Sequence, residues 1–166
     1  MPDAFDALEP ALSLSALGRT PAMDVRPVAD GEDVWLFEIH RTVFRSHIEQ
    51  IWGWDEVWQQ GNFASELASS KTSVIRIDTG IAGYVQVCDE DLRIYIRNIA
   101  LLPEFRRKGV GTRLIKALQA AAAARGVPLA LGVFRTNAAA RQLYERLGFV
   151  NTSETTTHIE MVWLPA

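Results

Sequence analysis

The sequence predicts one mixed α/β domain whose sheet is largely antiparallel, with its helices packed on that sheet. Three observations carry this prediction. Three β-rich segments in the middle of the chain follow one another through short turns, as strands of a meander do. A glycine-containing junction then leads from the last of them into a strongly periodic helix. Of the 166 residues, 48% are apolar and 22% charged, enough to bury one substantial core without disulfides or metals.

Residues 1–22 mix Ala, Leu, Ser, Asp and Pro without sustained periodicity and are read as an N-terminal extension: a mobile tail, a short docked helix or a start-codon artefact. The domain proper is expected over 23–166. Met23 precedes a first strand over Asp24 to Val28. Asp30 is the expected N-cap of a first helix, in which Leu36, Ile39, His40, Val43, Phe44 and His47 recur at helical spacing. Gly53 interrupts it, and Asp55 to Leu67 forms a second helix with Val57, Trp58 and Leu67 on its apolar side.

The meander follows. Thr72 to Asp78 and Ile81 to Val87 are separated by the turn Thr79-Gly80, and Leu92 to Leu102 comes after the acidic turn Asp89-Glu90-Asp91. From Thr112 to Arg125, Leu114, Ile115, Leu118, Ala121 and Ala122 make one stripe, stopped by Gly126 and Pro128. Leu129 to Phe134 suits a buried strand, Asn137 to Leu147 is a capped helix ending at Gly148, and Thr156 to Leu164 is the last strand.

Composition narrows the function. The net charge is −3 with both signs interspersed, which gives no general attraction to nucleic acid or anionic lipid. Cys88 is the only cysteine, so no intrachain disulfide or thiolate cluster can form, in keeping with a reducing cytoplasm; it reads more simply as a small buried hydrophobe than as a nucleophile. The first residues are acidic where a secretory signal is basic, and no export is expected. The most apolar region, 114–134, is broken by charges and a turn too soon for a membrane span.

The junction after the meander carries chemistry. Arg106, Arg107 and Lys108 precede Gly109-Val110-Gly111-Thr112 at a helix start. There, unpaired N–H groups and the helix dipole favour an anion, and glycine lets a diphosphate approach the main chain. A nucleotide-triphosphate loop requires Lys-Ser/Thr after its last glycine, and a dinucleotide fingerprint requires a third glycine; Thr112-Arg113 supplies neither. A plain tight turn with a solvated basic face stays the alternative at this point.

Arg106-x-x-Gly109-x-Gly111, with Pro103 before it, resembles the coenzyme motif of the GNAT superfamily of acetyl-coenzyme A-dependent N-acetyltransferases. Asn137 to Phe149, with Tyr144 and Gly148, is similar to that family's second recurrent segment at its usual separation. The resemblance covers about residues 24 to 164. It implies a sheet of about seven strands and about four helices, with two splayed strands admitting the pantetheine along Ile99, Ala100 and Leu101. Pyrophosphate would lie over Arg106, Arg107, Lys108, Gly109, Val110, Gly111 and Thr112. Asn137 would cap its helix and touch the coenzyme, with capping alone the other reading. Tyr144 shares a helical face with Ala140, Leu143 and Leu147, so by periodicity alone it is a core aromatic; the resemblance makes it the general acid for the departing thiolate. The oxyanion would meet the N–H of Leu101. The resemblance brings acetyl-coenzyme A as cosubstrate and no metal.

The same comparison exposes a gap. Enzymes similar to ribosomal-protein N-terminal acetylases carry a glutamate where this chain has Gly132, and histone-type enzymes carry one where it has Tyr95. An amine with a pKa of about 10.4 must still lose a proton at neutral pH. Glu38, His40, His47, Tyr95, His158 and Glu160 are the replacement candidates, each histidine having an equally simple structural reading. His40 and His47 share a face, but no third metal ligand is signalled.

Four of five tryptophans, Trp35, Trp52, Trp54 and Trp58, crowd the first two helices. We expect Trp52 and Trp54 to wall the acceptor, Asp55 or Glu56 to attract its cationic amine, and Tyr95 to border the same site. The alternative is a hydrophobic corner or dimer contact. The expected function is N-acetylation of a primary amine, from a small molecule or a peptide. A non-catalytic acyl-coenzyme A sensor on the same fold is the rival, and a nucleic-acid-binding basic loop ranks last. No nucleic acid or membrane partner is expected. Homodimers are common among proteins that resemble this one.

Overall fold

The structure, a computed structural model, describes residues 22–166, so the expected extension lies outside the described residues apart from Ala22. Strands β1 (Met23–Pro27), β2 (Lys71–Ile77), β3 (Gly80–Asp89), β4 (Ile94–Leu101), β5 (Leu129–Phe134), β6 (Val150–Glu154) and β7 (His158–Trp163) form one sheet in the order β1-β2-β3-β4-β5-β7-β6. Every neighbouring pair is antiparallel except β4 with β5. Helices α1 (Asp33–Trp52) and α2 (Glu56–Ser69) lie between β1 and β2 in sequence, α3 (Val110–Arg125) between β4 and β5, and α4 (Ala138–Arg146) between β5 and β6.

The helices divide between the two faces of the sheet. Leu114, Ile115, Leu118, Ala121 and Ala122 of α3 are all buried against Val85, Ile94, Ile96, Leu129 and Leu131, as the stripe predicts. On the other face, Leu36, Phe37, Ile39, Phe44 and Ile48 of α1 and Phe63 of α2 pack on Val74, Tyr84 and Ala100. Each helix contributes one apolar stripe because the opposite side meets water. Gly126, in a left-handed conformation at φ 66°, closes α3 by donating its N–H to Ala122 and Ala123 carbonyls.

Two expectations change. Asp30 does not cap α1: the N-cap is Glu32, whose carboxylate instead takes the Ala29 N–H at 2.6 Å and a bidentate pair from Arg26 at 2.7 and 2.8 Å. The seventh strand, β6, is absent from the residue-by-residue reading because all five of its residues are exposed. It pairs with β7 alone, so no apolar alternation is required of it. Among the described residues no helix is long and apolar enough to cross a membrane.

Register shifts set which side chains face which helices. Gln86 pairs with Asn98 but Val87 pairs with Ile96, so Arg97 is an extra residue in β4. Ile94 and Ile96 face α3, whereas beyond the bulge Ala100 faces α1 and α2. A single inserted residue therefore reverses the facing of the rest of β4. A second shift, at Ala82 in β3, precedes Gly83, where any Cβ would fall on the Ala100 carbonyl oxygen. Gly83→Ala must push β3 from β4. We expect a loss of about 3 kcal/mol in urea unfolding, the upper end of overpacking costs; an unchanged midpoint with an unchanged slope contradicts it.

Candidate functional site

β4 and β5 pair only through Ile94 with Leu129, Tyr95 with Ala130 and Ile96 with Leu131, although both strands continue. Beyond these pairs they diverge into a fork. The Leu102 N–H donates to the Ala82 carbonyl at 2.8 Å, and backbone groups alternate along a strand. The N–H groups of Ile99 and Leu101 therefore face the open side of the fork. Those of Asn98 and Ala100 face β3, so Ala100 cannot offer its main chain to a ligand in the gap as the resemblance implies.

At the far end of β4 a 3-10 turn, Pro103–Phe105, leads into the glycine junction. Arg107 and Gly109 are both left-handed, at φ 61° and 77°. For arginine that conformation costs about 1 kcal/mol. Gly109 is the N-cap of α3 and makes no side-chain cap, so among the described residues the first N–H groups of the helix have no N-cap side chain to accept them. The Arg106 Nε donates to the Leu101 carbonyl at 3.0 Å and fastens the junction to β4. Gly111 is tightly backed: a Cβ there would stand 3.3 Å from Leu143.

A cavity of about 800 Å³ occupies the fork and extends under α1 and α2. Ile99, Val133, Asn137, Ala140 and Tyr144 line its wall toward α4; Ala100, Leu101 and residues 106–112 do not line it. Asn137 accepts the Ala140 N–H at 3.2 Å as N-cap of α4 and also borders the cavity, so both roles anticipated for it are open to it. Tyr144 is half-buried against Phe149, and burial pushes its hydroxyl up to about 12.

On the acceptor side Trp52, Asp55 and Tyr95 line the cavity, and Trp54 does not. Trp54 turns inward on Phe37 and His40 and donates its indole N–H to Glu56 at 2.6 Å. Glu56 pairs with Arg41, and Asp55 caps α2 by accepting the Trp58 N–H at 2.9 Å. Glu56 is thus held outside the cavity lining, whereas Asp55 caps its helix and borders the cavity as well. Trp58, Gln59, Asn62 and Glu66 of α2 also line the cavity. The sequence instead placed Trp58 with Val57 on the apolar side of α2, where both are exposed, and did not single out Gln59, Asn62 and Glu66, whose spacing of three and four puts them on one helical face.

Of the anticipated base candidates, His40, Tyr95 and His158 line the cavity, and Glu38, His47 and Glu160 do not. Glu38 is an exposed partner of Arg41. His47 contacts the Thr136 hydroxyl at 2.7 Å, and burial with the nearby Arg106 lowers its pKa. His158 packs 4.5 Å from the Phe134 ring and burial lowers its pKa. Tyr95 lies 3.3 and 3.4 Å from the two Glu160 carboxylate oxygens, and burial, with Glu160 adding, pushes it up to about 12. These two groups stand in front of Gly132: a Cβ there would meet Glu160 Oε1 at 2.7 Å and the Tyr95 hydroxyl at 3.1 Å. Cys88 is half-buried beside Ser70, away from the cavity lining. Among the described residues no cluster of three or more His, Cys, Asp or Glu could hold a metal ion.

His40 is buried, with Nδ1 3.0 Å from the Tyr84 hydroxyl. Burial, opposed in lesser part by neighbouring Gln59, lowers its pKa from 6.5 to about 4. In this range the unfolded state binds a proton that the folded state refuses. Stability from this group is therefore complete above pH 6.5 and declines toward pH 4, by about 3 kcal/mol in total. Denaturant unfolding at pH 7, 5.5 and 4.5 is expected to follow that decline, and His40→Gln to flatten it; parallel curves for both proteins contradict the assignment.

A family model described as the acetyltransferase (GNAT) family matches residues 36–149. No curated protein matches the chain significantly. Among solved structures, the PaiA N-acetyltransferase of Thermoplasma acidophilum, in complex with coenzyme A, superposes with a TM-score of 0.68 at 14% identity, covering 86% of this chain and 98% of that one. The ribosomal-protein-S18-alanine N-acetyltransferase of Escherichia coli gives 0.65 at 23% identity, covering 87% and 94%. YncA of Salmonella typhimurium, with its cofactor acetyl-CoA, gives 0.61 at 19% identity, covering 87% and 95%. At these identities the likeness is one of fold.

Proposed function

Because the chain belongs to the GNAT acetyltransferase family, we propose that it transfers the acetyl group of acetyl-coenzyme A to a primary amine by direct attack within the fork of β4 and β5. One observation supports this above the rest: Tyr144, a phenol protonated at neutral pH, lines the cavity that occupies that fork. A protonated phenol at that position can hand its proton to the departing thiolate as the carbon–sulfur bond breaks, although burial makes it a weaker acid than free tyrosine.

The pantetheine arm lies along the outward-facing main chain of Ile99 and Leu101. Its pyrophosphate rests on the unpaired N–H groups from Gly109 to Thr112, with Arg106, Arg107 and Lys108 nearby. The amine lone pair attacks the thioester carbon, and the carbonyl oxygen gains negative charge. We assign the oxyanion donor to the Ile99 N–H in place of Leu101, because Ile99 lines the cavity and Leu101 does not. When the tetrahedral intermediate collapses, the carbon–sulfur bond breaks and Tyr144 gives its proton to the thiolate.

Calorimetric titration with acetyl-coenzyme A tests the reading, followed by thiol release on adding amines. One-to-one binding and amine-dependent thiol release are expected. Binding without release from any amine favours the acyl-coenzyme A sensor; folded protein that binds no acetyl-coenzyme A overturns both.

A further inference from the structure

We infer that the acceptor is a small primary amine carried on an aromatic or flat apolar body with no carboxylate beside the amine, its ammonium held by Glu66 and its body seated against Trp52, Trp58 and Phe134. This rests on the transfer reading of the same fork and names what enters it from the α1 and α2 side.

The apolar half of the argument starts from exposure. Trp52 and Trp58 are 62% and 60% exposed although both line the cavity. They come from different helices, on either side of Gly53, and flank one opening. Large indoles left in water at a cavity mouth gain free energy when a flat ligand covers them. Phe134 continues that wall, its ring 6.3 Å from Trp52, with Phe44 and Ile48 behind it.

The polar half lies deeper. Glu66 is half-buried in the cavity wall, and its carboxylate oxygens accept from Asn62 Nδ2 at 3.3 Å and Asn98 Nδ2 at 3.1 Å, both neutral amides. Among the described residues no cation stands within ion-pair distance of it. Arg97, which also lines the cavity, spends Nη1 on the Ser69 and Ser70 hydroxyls at 2.8 and 2.6 Å. Burial raises the Glu66 pKa against the field of Arg97 and the two amide bonds. A desolvated carboxylate with lone pairs to spare gains by meeting an ammonium.

A second group points into the same space. His40 is 5% exposed and lines the cavity with the Gln59 side chain close to its ring, yet its Nε2 makes no hydrogen bond of normal geometry among the described residues. A buried polar atom left so costs about 1–3 kcal/mol, which a bound polar group recovers: an amine N–H where Nδ1 donates to Tyr84, an amine lone pair where Nδ1 accepts from it. Glu66 is thus the one carboxylate among these half-buried groups, and the exposed rim presents rings. A polyamine leaves the rings without a partner. An α-amino acid brings its carboxylate toward Glu66.

With the ammonium in place, one N–H bond breaks and an O–H bond forms on Glu66, leaving the neutral amine to attack. This gives the reaction a proton acceptor that the residues at positions 132 and 95 do not supply.

The probe is 2-phenylethylamine, titrated into protein saturated with coenzyme A, beside phenylalanine and spermidine. We expect 2-phenylethylamine to bind at least about tenfold more tightly than either. Glu66→Gln should cost it about tenfold or more with acetyl-coenzyme A affinity unchanged. Trp58→Ala, at an exposed position, should weaken 2-phenylethylamine and spare ethylamine, and serves if the Glu66→Gln variant does not fold. Tighter binding of phenylalanine or spermidine, no binding of 2-phenylethylamine, or affinity unaltered in both variants overturns the inference. Any of these with intact acetyl-coenzyme A binding leaves the transfer reading standing; loss of acetyl-coenzyme A binding in wild type removes that reading itself.

Discussion

Tyr144→Phe is expected to lower kcat about 100-fold while the affinity for acetyl-coenzyme A stays within about twofold, the size of a general-acid contribution and not of a binding contact. The substitution removes one oxygen and leaves the ring on Phe149, so the fold has no reason to change. The thiolate must then leave unprotonated or draw a proton from water. The effect should appear equally in kcat and kcat/KM, because the lost interaction exists only in the transition state. Unchanged turnover with a good amine would return Tyr144 to the role its helical face suggests, a core aromatic between Ala140 and Leu147.

Gly109→Asp is expected to raise the Kd for acetyl-coenzyme A about 100-fold, close to 2.7 kcal/mol. The backbone there is left-handed and open space surrounds the Cα, so the cost is not a clash. A carboxylate at the N-cap of α3 brings its own anion to the N–H groups that the pyrophosphate would use, and repels the phosphates besides. Gly109→Asn separates charge from backbone. Asparagine tolerates the left-handed region better than most residues and is neutral, so its Kd should rise no more than about tenfold. Equal losses in both variants would place the effect in loop geometry; no loss in either would move the pyrophosphate elsewhere.

Much of the architecture is local and was therefore readable in order along the chain. The stripe of α3 and its Gly126 stop, the strand Leu129–Phe134 and the Asn137 cap each depend on residues within a few positions of one another. The phosphate-type junction at Arg106 to Gly111 is legible for the same reason: an uncapped helix start and its glycines are contiguous in sequence. β6 was not legible from the residues, because an exposed edge strand needs only a neighbour to pair with and no apolar pattern.

The acceptor site depended on register, which no local pattern carries. One extra residue at Arg97 turns the rest of β4 over, placing Asn98 where it can hold Glu66, 32 positions away. Across the sheet, pairing of β5 with β7 sets Glu160 in front of Gly132. Trp54 and Trp52 look alike in sequence, two residues apart, yet the turn at Gly53 sends one into the core and leaves the other at the cavity mouth. The sequence by itself determined the elements other than β6 and the glycine junction, because short-range sterics and hydrogen bonding decide those, while the acid role expected of Tyr144 came from the family resemblance and not from its helical face. Which carboxylate and which rings meet an acceptor was decided only by tertiary structure, since that depends on strand register and helix packing between residues far apart in the chain.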